Sequence, residues 1–310
     1  MEKTLVVVRH GEGHHQTTGK TEPLLGPLLT DIGLTQAREV AQHPFFHSTL
    51  HAARQPLFVS SNLIRAVQTL LHAAPGKPIV IQPLARERIV NHFDWPSHVD
   101  ALANWLRGNS VEADLEPYQE ELRSLQNSSA VQDEESDGDD DLHSRYIRTV
   151  VRTDAAHQSL LGLGSYSANR ERARKLMTWI ATRDADAVFL VSHGAFLMHV
   201  DALACGASHA KALWRTVSGK AYMKNCEVRR YTIRCGLPSP GWVLSHWAAD
   251  ETTSSSTSSG SMTKRSDTSN LETETSESGR TTSSNVEFHW CCVVRARRQD
   301  SSNHHSMSET

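Results

Sequence analysis

The 310-residue sequence is poor in cysteine, in aromatic residues and in net charge. Its five cysteines are an odd number without the spacing of a disulfide framework, and no C-x-x-C pair indicates a zinc site. This pattern favours a reducing, cytoplasmic compartment. With a formal net charge of −3 at pH 7, the chain has no global basic field for nucleic acid. Binding of an anion would need a local cluster of positive charge.

Long apolar runs are also missing. No stretch approaches the roughly 18 consecutive apolar residues of a membrane-spanning helix, and the run over residues 5–8 is too short for a signal peptide. We therefore expect a soluble, non-secreted protein. Cys291 and Cys292, beside a basic stretch at residues 295–298, could be an acylated membrane contact, but we favour a chance occurrence.

The sequence contains neither a glycine-rich, lysine-bearing phosphate loop nor an aspartate-rich magnesium site, so we expect no metal and no cofactor. Hydrophobic residues make up only 38% of the chain, and residues 250–310 are a low-complexity stretch rich in serine and threonine. We predict a folded domain over residues 1–249 and a disordered tail over residues 250–310.

Short apolar strands alternate with helical patterns in the predicted domain. Strands are predicted at residues 5–8, 56–59, 78–81 and 187–191, and helices at residues 34–41, 63–73, 168–183 and 195–204. This alternation predicts an α/β protein with three layers, α/β/α, around a mostly parallel sheet. The pattern over residues 222–247 predicts one or two late strands that could pair antiparallel at the sheet edge.

Residues from about 92 to 165 interrupt the alternation as a long insertion. A helix is predicted near residues 100–107. The acidic run at residues 133–141 repels itself and predicts a solvated loop, with a lid or a partner-binding segment as the alternative.

Polar motifs follow three of the predicted strands. Arg9-His10-Gly11 comes after the first, a segment with Arg65 after the second, and Val191-Ser192-His193-Gly194 after the most apolar one. Because an open α/β sheet binds ligands at the carboxyl ends of its strands, these corners should converge. Helix N-termini there would add backbone N–H groups. We expect an anion pocket built from Arg9, His10, Arg65 and His193.

Four segments, taken in order, resemble the histidine phosphatase superfamily, which is phosphoglycerate mutase-like in fold. Arg9-His10-Gly11 resembles its nucleophile motif, residues 27–37 its "LTxxGxxQA" segment, residues 60–69 its "SxLxRAxQT" segment, and residues 191–194 its distal histidine motif. The resemblance spans most of residues 4–247. It implies that residues 1–249 form a catalytic domain in which His10 becomes a phosphohistidine.

The chemistry accounts for these residue types. Two guanidiniums and a second imidazole, from Arg9, Arg65 and His193, can stabilise the charge of a transferring phosphoryl group. His10 must be neutral at one ring nitrogen to attack phosphorus, so a backbone carbonyl should hold its other N–H. The branch resemblance "RHGxGxHN" adds Gln16 as a phosphate ligand in place of asparagine. His14 and His15 lack a third ligand at defined spacing, and we interpret them as a polar loop at the pocket rim.

The leaving group needs a proton. Leu84-Ala85-Arg86-Glu87-Arg88 resembles the surroundings of the family's acid, which makes Glu87 the proton donor; Asp94 is the alternative. We predict a metal-independent phosphomonoester hydrolase acting on a small phosphorylated metabolite or phosphopeptide, without a nucleic-acid partner. A phosphoglycerate mutase and a catalytically weak phospho-ligand binding protein are the alternatives.

Overall fold

The structure is a computed structural model that describes residues 1–126, 141–156, 163–204, 222–236 and 242–246. Its strands are β1 (Glu2–Arg9), β2 (Pro56–Ser60), β3 (Ile79–Ile81), β4 (Ala113–Asp114), β5 (Ala187–Ser192), β6 (Val228–Cys235) and β7 (Trp242–His246). Its helices are α1 (Asp31–Val40), α2 (Pro44–Ala52), α3 (Ile64–Ala73), α4 (Val99–Gly108), α5 (Glu116–Gln126), α6 (Leu142–Ala156), α7 (Leu163–Thr182) and α8 (Gly194–Ala204).

The described strands form one seven-stranded sheet in the order β4-β3-β2-β5-β1-β6-β7. Strands β1 to β5 run parallel to one another, and β6 and β7 add antiparallel pairs at one edge. The predicted α/β fold with a mostly parallel sheet and an antiparallel edge is therefore confirmed.

Both faces of the sheet are covered, which explains why β1 is apolar throughout. Val6 and Val8 belong to a core cluster on one face, which also contains residues of α3 and of α4 to α6. Leu5 and Val7 belong to the cluster on the other face, with residues of α7 and α8. A strand buried on both sides has no polar face, so it appears in the sequence as a continuous apolar run.

The segment at residues 92–165 differs from the predicted insertion with a single helix. Helix α4 confirms the helix expected near residues 100–107, but α5 and α6 were not predicted. Tyr118 on α5 and Tyr146 on α6 are fully buried in the core cluster. The described part of this segment therefore covers one face of the sheet.

Other elements also differ from the sequence interpretation. Helix α2 and the short strand β4 were not predicted, and β6 begins only at Val228 because residues 222–227 form a loop with Cys226 at a positive φ of 54°. Asp141 is the one described member of the acidic run, and its carboxylate accepts a hydrogen bond from the backbone N–H of Ser144 at 2.6 Å in the first turn of α6.

Some predictions concern residues that the structure does not describe. Residues 133–140, the tail at residues 250–310 and the pair Cys291-Cys292 all lie outside the described ranges. Among the described helices, none has the length and apolar character needed to cross a membrane.

Replacing Tyr146 tests the packing of α6. Because its side chain is fully buried, Tyr146→Ala should lower the free energy of unfolding by about 3–5 kcal/mol, measured by urea denaturation. The control Tyr146→Phe removes only the hydroxyl, which Asn62 approaches at 3.4 Å, and should cost about 1 kcal/mol. A loss below about 1 kcal/mol in the alanine variant would contradict the packing of α6 on the sheet.

Candidate active site

Three strand ends bring the predicted residues to one edge of the sheet. Strand β1 pairs with β5 so that Arg9 lies opposite Ser192, and the next residues along the chain are His10 and His193. The backbone N–H of His10 donates to the carbonyl of Ser192 at 2.9 Å, and that of Ser61, after β2, donates to the carbonyl of Val191 at 3.1 Å. The three corners therefore begin side by side.

The ring of His10 is buried and held in one tautomer. Nδ1 lies 2.7 Å from the carbonyl oxygen of Gly11, so Nδ1 carries the proton and donates. Nε2 accepts a long hydrogen bond, 3.4 Å, from Nε of Arg65. Burial lowers the pKa of His10 well below its ordinary value, and the charges of Arg65 and Arg9 lower it further. The imidazole is therefore neutral, and the lone pair of Nε2 points toward Nε of Arg65.

The loop after His10 packs closely against residues 27–37, the second of the four family-like segments. This packing accounts for the glycines and the polar side chains at the contact. A Cβ at Gly11 would lie 2.6 Å from the carbonyl oxygen of Gly33, and a Cβ at Gly33 would lie 2.0 Å from that of Glu12. Either side chain would force the loop and α1 apart. Gln36 accepts a hydrogen bond from the backbone N–H of Glu12 at 2.9 Å, and the Thr30 hydroxyl accepts from that of Gly33 at 3.0 Å. This motif thus positions the loop that orients His10.

Arg65 lies in the first turn of α3 and is almost completely buried. Its guanidinium donates from Nη1 to the carbonyl of Phe93 at 2.7 Å and from Nη2 to Asp94 Oδ1 at 3.3 Å. The other oxygen of Asp94 accepts from the backbone N–H groups of Val90 and Asn91 at 3.2 and 3.3 Å. Asp94 is thus a fixed carboxylate that orients Arg65.

His193 lies beside His10, with 5.0 Å between the ring centroids. Its Nε2 is 2.8 Å from the hydroxyl of Ser61, and its buried Nδ1 has no hydrogen-bond partner among the described residues. Burial, then the charge of Arg65, lowers the pKa of His193 well below the ordinary value. A buried polar atom without a partner marks a position where a ligand could be bound.

Arg9 adds a second positive charge to the site. Its Nη1 donates to the carbonyl of Met223 at 2.8 Å, and its guanidinium carbon lies 4.6 Å above the ring of Tyr222. The Arg9 Nε atom is buried and has no hydrogen-bond partner among the described residues. The charge of Arg9 lowers the pKa of both His10 and His193, so it acts on the same pocket.

Glu87 lies at the N-terminus of α8, immediately beyond His193. Its carboxylate accepts hydrogen bonds from the backbone N–H groups of Ala195 and Phe196 at 3.2 and 2.9 Å. Burial nevertheless raises the pKa of Glu87, the backbone N–H of Arg88 opposes this rise, and the like charge of Asp94 adds to it. Glu87 therefore holds a proton more readily than an ordinary glutamate.

A buried arginine holds the segment that carries Glu87. Arg172, on α7, donates to the carbonyls of Leu84 and Glu87 at 3.2 and 3.4 Å, and its guanidinium carbon lies 4.4 Å above the ring of Phe196. Arg172 also donates to the carbonyl of Arg86. The sequence pattern gave no signal for this contact, because residue 172 is about 85 positions from its partners.

Gln16 and His15 lie on the loop that follows His10. The amide oxygen of exposed Gln16 accepts from the backbone N–H of Gly13 at 3.0 Å and from Asn225 at 3.1 Å, which joins two loops. The ring of His15 lies 5.7 Å from that of His10. Burial, with the charges of Arg65 and Arg9, lowers the pKa of His15 to about 3. His15 is thus a neutral wall of the pocket, on the loop predicted to form its rim.

Among the described residues, no group of three or more histidine, cysteine, aspartate or glutamate side chains could hold a metal ion. The positive charge at the site comes from arginine.

Comparison with known families agrees with this geometry. Residues 5–127 match the family model of the histidine phosphatase superfamily, branch 1. The resemblance to that superfamily is thus shown for residues 5–127. The matched range contains Arg9, His10, Arg65 and Glu87, whereas His193 lies beyond it. A comparison with curated proteins gives no match.

Several solved structures resemble the chain. The α-ribazole phosphatase of Shigella flexneri is 16% identical, with 78% of this chain and 95% of that chain covered and a TM-score of 0.43. Phosphoserine phosphatase of Entamoeba histolytica, in complex with 3-phosphoglyceric acid, is 18% identical over 80% and 98%, with a TM-score of 0.42. A mycobacterial glucosyl-3-phosphoglycerate phosphatase is 20% identical over 81% and 100%, with a TM-score of 0.45. The three names refer to three different substrates.

The lowered pKa of His15 predicts a loss of stability in acid. An unfolded histidine takes up a proton near its ordinary value of 6.5, but folded His15 does so only at about 3. Its contribution to stability is therefore complete above the unfolded pKa and is lost as the pH falls toward the folded one. The free energy of unfolding should fall between about pH 7.5 and about pH 5, and it should fall less in His15→Gln.

Urea denaturation at both pH values measures this difference. The exposed-site variant Val243→Ala should show the same pH dependence as the wild type. Equal pH dependence in wild type and His15→Gln would contradict a neutral, desolvated His15.

Proposed function

We propose that this chain is a metal-independent phosphatase that hydrolyses phosphomonoesters through a phosphohistidine on His10. The observation that carries the proposal is the neutral His10 ring, fixed through Nδ1 by the Gly11 carbonyl, with Nε2 beside the buried Arg65 guanidinium. The superfamily match supports phosphoryl transfer of the phosphatase or mutase type. The proposed substrate is a small phosphorylated metabolite or a phosphopeptide.

In the first step, Nε2 of His10 would attack phosphorus in line with the ester oxygen. The N–P bond forms as the P–O bond breaks, while Nδ1–H stays bonded to the Gly11 carbonyl. The 3.4 Å contact from Arg65 Nε to Nε2 is long, so this donor can turn to a phosphoryl oxygen at little cost. Arg65, Arg9 and Nδ1 of His193 would then surround the charge that develops on the transferring group.

Glu87 would supply the proton that the departing alkoxide needs. Its raised pKa favours the protonated state in which it can donate. In the second step the resulting carboxylate would take a proton from water, whose oxygen attacks phosphorus and breaks the N–P bond. This step releases inorganic phosphate and restores neutral His10 and protonated Glu87.

Asp94 is a poor candidate for the same role. Its two oxygens are occupied by Arg65 and by the N–H groups of Val90 and Asn91. We therefore assign Asp94 to the positioning of Arg65.

Trapping the intermediate tests the nucleophile. Wild-type protein mixed with a radiolabelled phosphomonoester and quenched in alkali should carry a covalent phosphate that acid removes. His10→Ala should lose this label and at least a thousandfold in turnover, because no other described group takes the place of Nε2.

Two outcomes would contradict the hydrolase. Full activity of His10→Ala would exclude the phosphohistidine route. Isomerisation of 3-phosphoglycerate without net release of phosphate would indicate a mutase. The control variant Val243→Ala should retain turnover and label.

Substrates with different leaving groups separate Glu87 from Asp94. With a poor alkoxide leaving group, Glu87→Gln should reduce kcat/KM by about 100-fold or more, because general acid catalysis of this size is lost. With p-nitrophenyl phosphate, whose leaving group needs little protonation, the loss should be far smaller. Asp94→Asn disturbs Arg65 and should reduce kcat/KM for both substrates by the same factor.

Steady-state kinetics on both substrates measure these ratios. If Asp94→Asn rather than Glu87→Gln shows the dependence on leaving group, the two roles must be exchanged.

A further inference from the structure

A continuous line of aromatic rings leads from His10 toward solvent. The ring centroid of His15 lies 5.7 Å from that of His10 and 6.2 Å from that of Phe93. His92 follows at 3.9 Å from Phe93, and Trp95 at 6.5 Å from His92. We refer to His15, Phe93, His92 and Trp95 as the ring path. Its spacings fall close to the range in which aromatic rings attract one another.

Exposure increases along the ring path away from the nucleophile. His15 and Phe93 are partly buried, whereas His92 is exposed and Trp95 is 44% exposed. Val90, in the same loop, is 61% exposed. Large apolar side chains left in contact with solvent beside a polar pocket commonly mark a ligand surface.

The inner end of the ring path is uncharged near neutral pH. Burial and the two site arginines lower the pKa of His15 to about 3, so its ring is a neutral aromatic surface. A neutral ring attracts an apolar group through its face or edge, but it offers no charge to a second anion.

The backbone ties the ring path to the phosphate site. The carbonyl of Phe93 accepts the 2.7 Å hydrogen bond from Arg65, and Asp94, the next residue, forms the ion pair with the same guanidinium. The outer rings are therefore carried by the loop that orients Arg65. A group bound to these rings has a fixed position relative to a bound phosphoryl group.

We propose that the ring path binds the leaving group of the substrate and that the preferred substrates are aryl phosphate monoesters. This inference rests on the proposed function. In an aryl ester the aromatic ring is attached directly to the bridging oxygen. In-line attack puts the bridging oxygen on the side of phosphorus away from His10 Nε2, and under this proposal the attached ring would pass beside His15 and continue toward Phe93. An alkyl ester presents no flat apolar face to these rings.

A purely structural role for the rings would have a different consequence. If the rings only held the loops together, removing one of them would lower kcat/KM by the same factor for every substrate. The readout is therefore the ratio of kcat/KM for phenyl phosphate to kcat/KM for glycerol phosphate in each variant. The intrinsic reactivity of the two esters is the same for every variant and cancels from the comparison.

The variants are Phe93→Ala and Trp95→Ala in the full chain, with Val243→Ala as a control at an apolar residue about as exposed as Trp95. We expect the ratio to fall about fivefold in each ring variant, the loss of one aromatic contact, and to stay unchanged in Val243→Ala. A ratio within about twofold of the wild type in both ring variants would overturn the proposal. Comparing turnover of free phosphotyrosine with turnover of phosphotyrosine in a peptide shows whether the aryl phosphate is a small metabolite or part of a phosphopeptide.

Binding of phosphonates separates this proposal from the proposed function. Phenylphosphonate and methylphosphonate cannot be hydrolysed, and calorimetry measures their affinities without turnover. Tighter binding of phenylphosphonate that is lost in Phe93→Ala supports the ring path even if no ester is hydrolysed, in which case only the phosphatase assignment fails. Equal affinities in the wild type, or no binding of either compound, would overturn the ring path.

Discussion

The parallel pairing of β1 with β5 places Arg9 opposite Ser192, so His10 and His193 start from neighbouring strand ends. Both strands are buried on both faces, so their side chains pack against helices on either side of the sheet. A slip by one residue would turn every side chain of β1 to the opposite face and separate the two imidazoles. The position of the proposed nucleophile therefore depends on the packing of the whole sheet.

The site combines a buried, charged arginine with two neutral imidazoles. Arg65 is almost completely buried and is compensated by Asp94 and by the carbonyl of Phe93. This compensation is essential because an unpaired buried charge would strongly destabilise the fold. Burial lowers the pKa of His10 and of His193, and the charge of the Arg65 guanidinium lowers both further. The same group thus helps to keep the proposed nucleophile neutral and offers charge to an anion.

The parts of the site that were predictable from sequence are those set by local patterns. A short apolar run followed by a polar motif was enough to place His10, Arg65 and His193 at one sheet edge. Helices α5 and α6 were missed because their few buried residues, such as Tyr118 and Tyr146, are separated by polar ones. Their apolar role is visible only once the helices pack on the sheet. The Arg65–Asp94 pair joins positions 29 residues apart, and no local pattern indicates it.

Glu87 experiences opposing influences whose balance depends on what occupies the pocket. The N–H groups of α8 favour its carboxylate, whereas burial and Asp94 favour the protonated form. The charge of Arg65 also lowers the pKa of Glu87. A phosphoryl group bound by Arg65 would offset that charge and add negative charge of its own, and both changes raise the pKa of Glu87. Under the proposed mechanism, substrate binding would therefore favour the protonated form of Glu87 that the first step needs, and loss of phosphate would remove this influence.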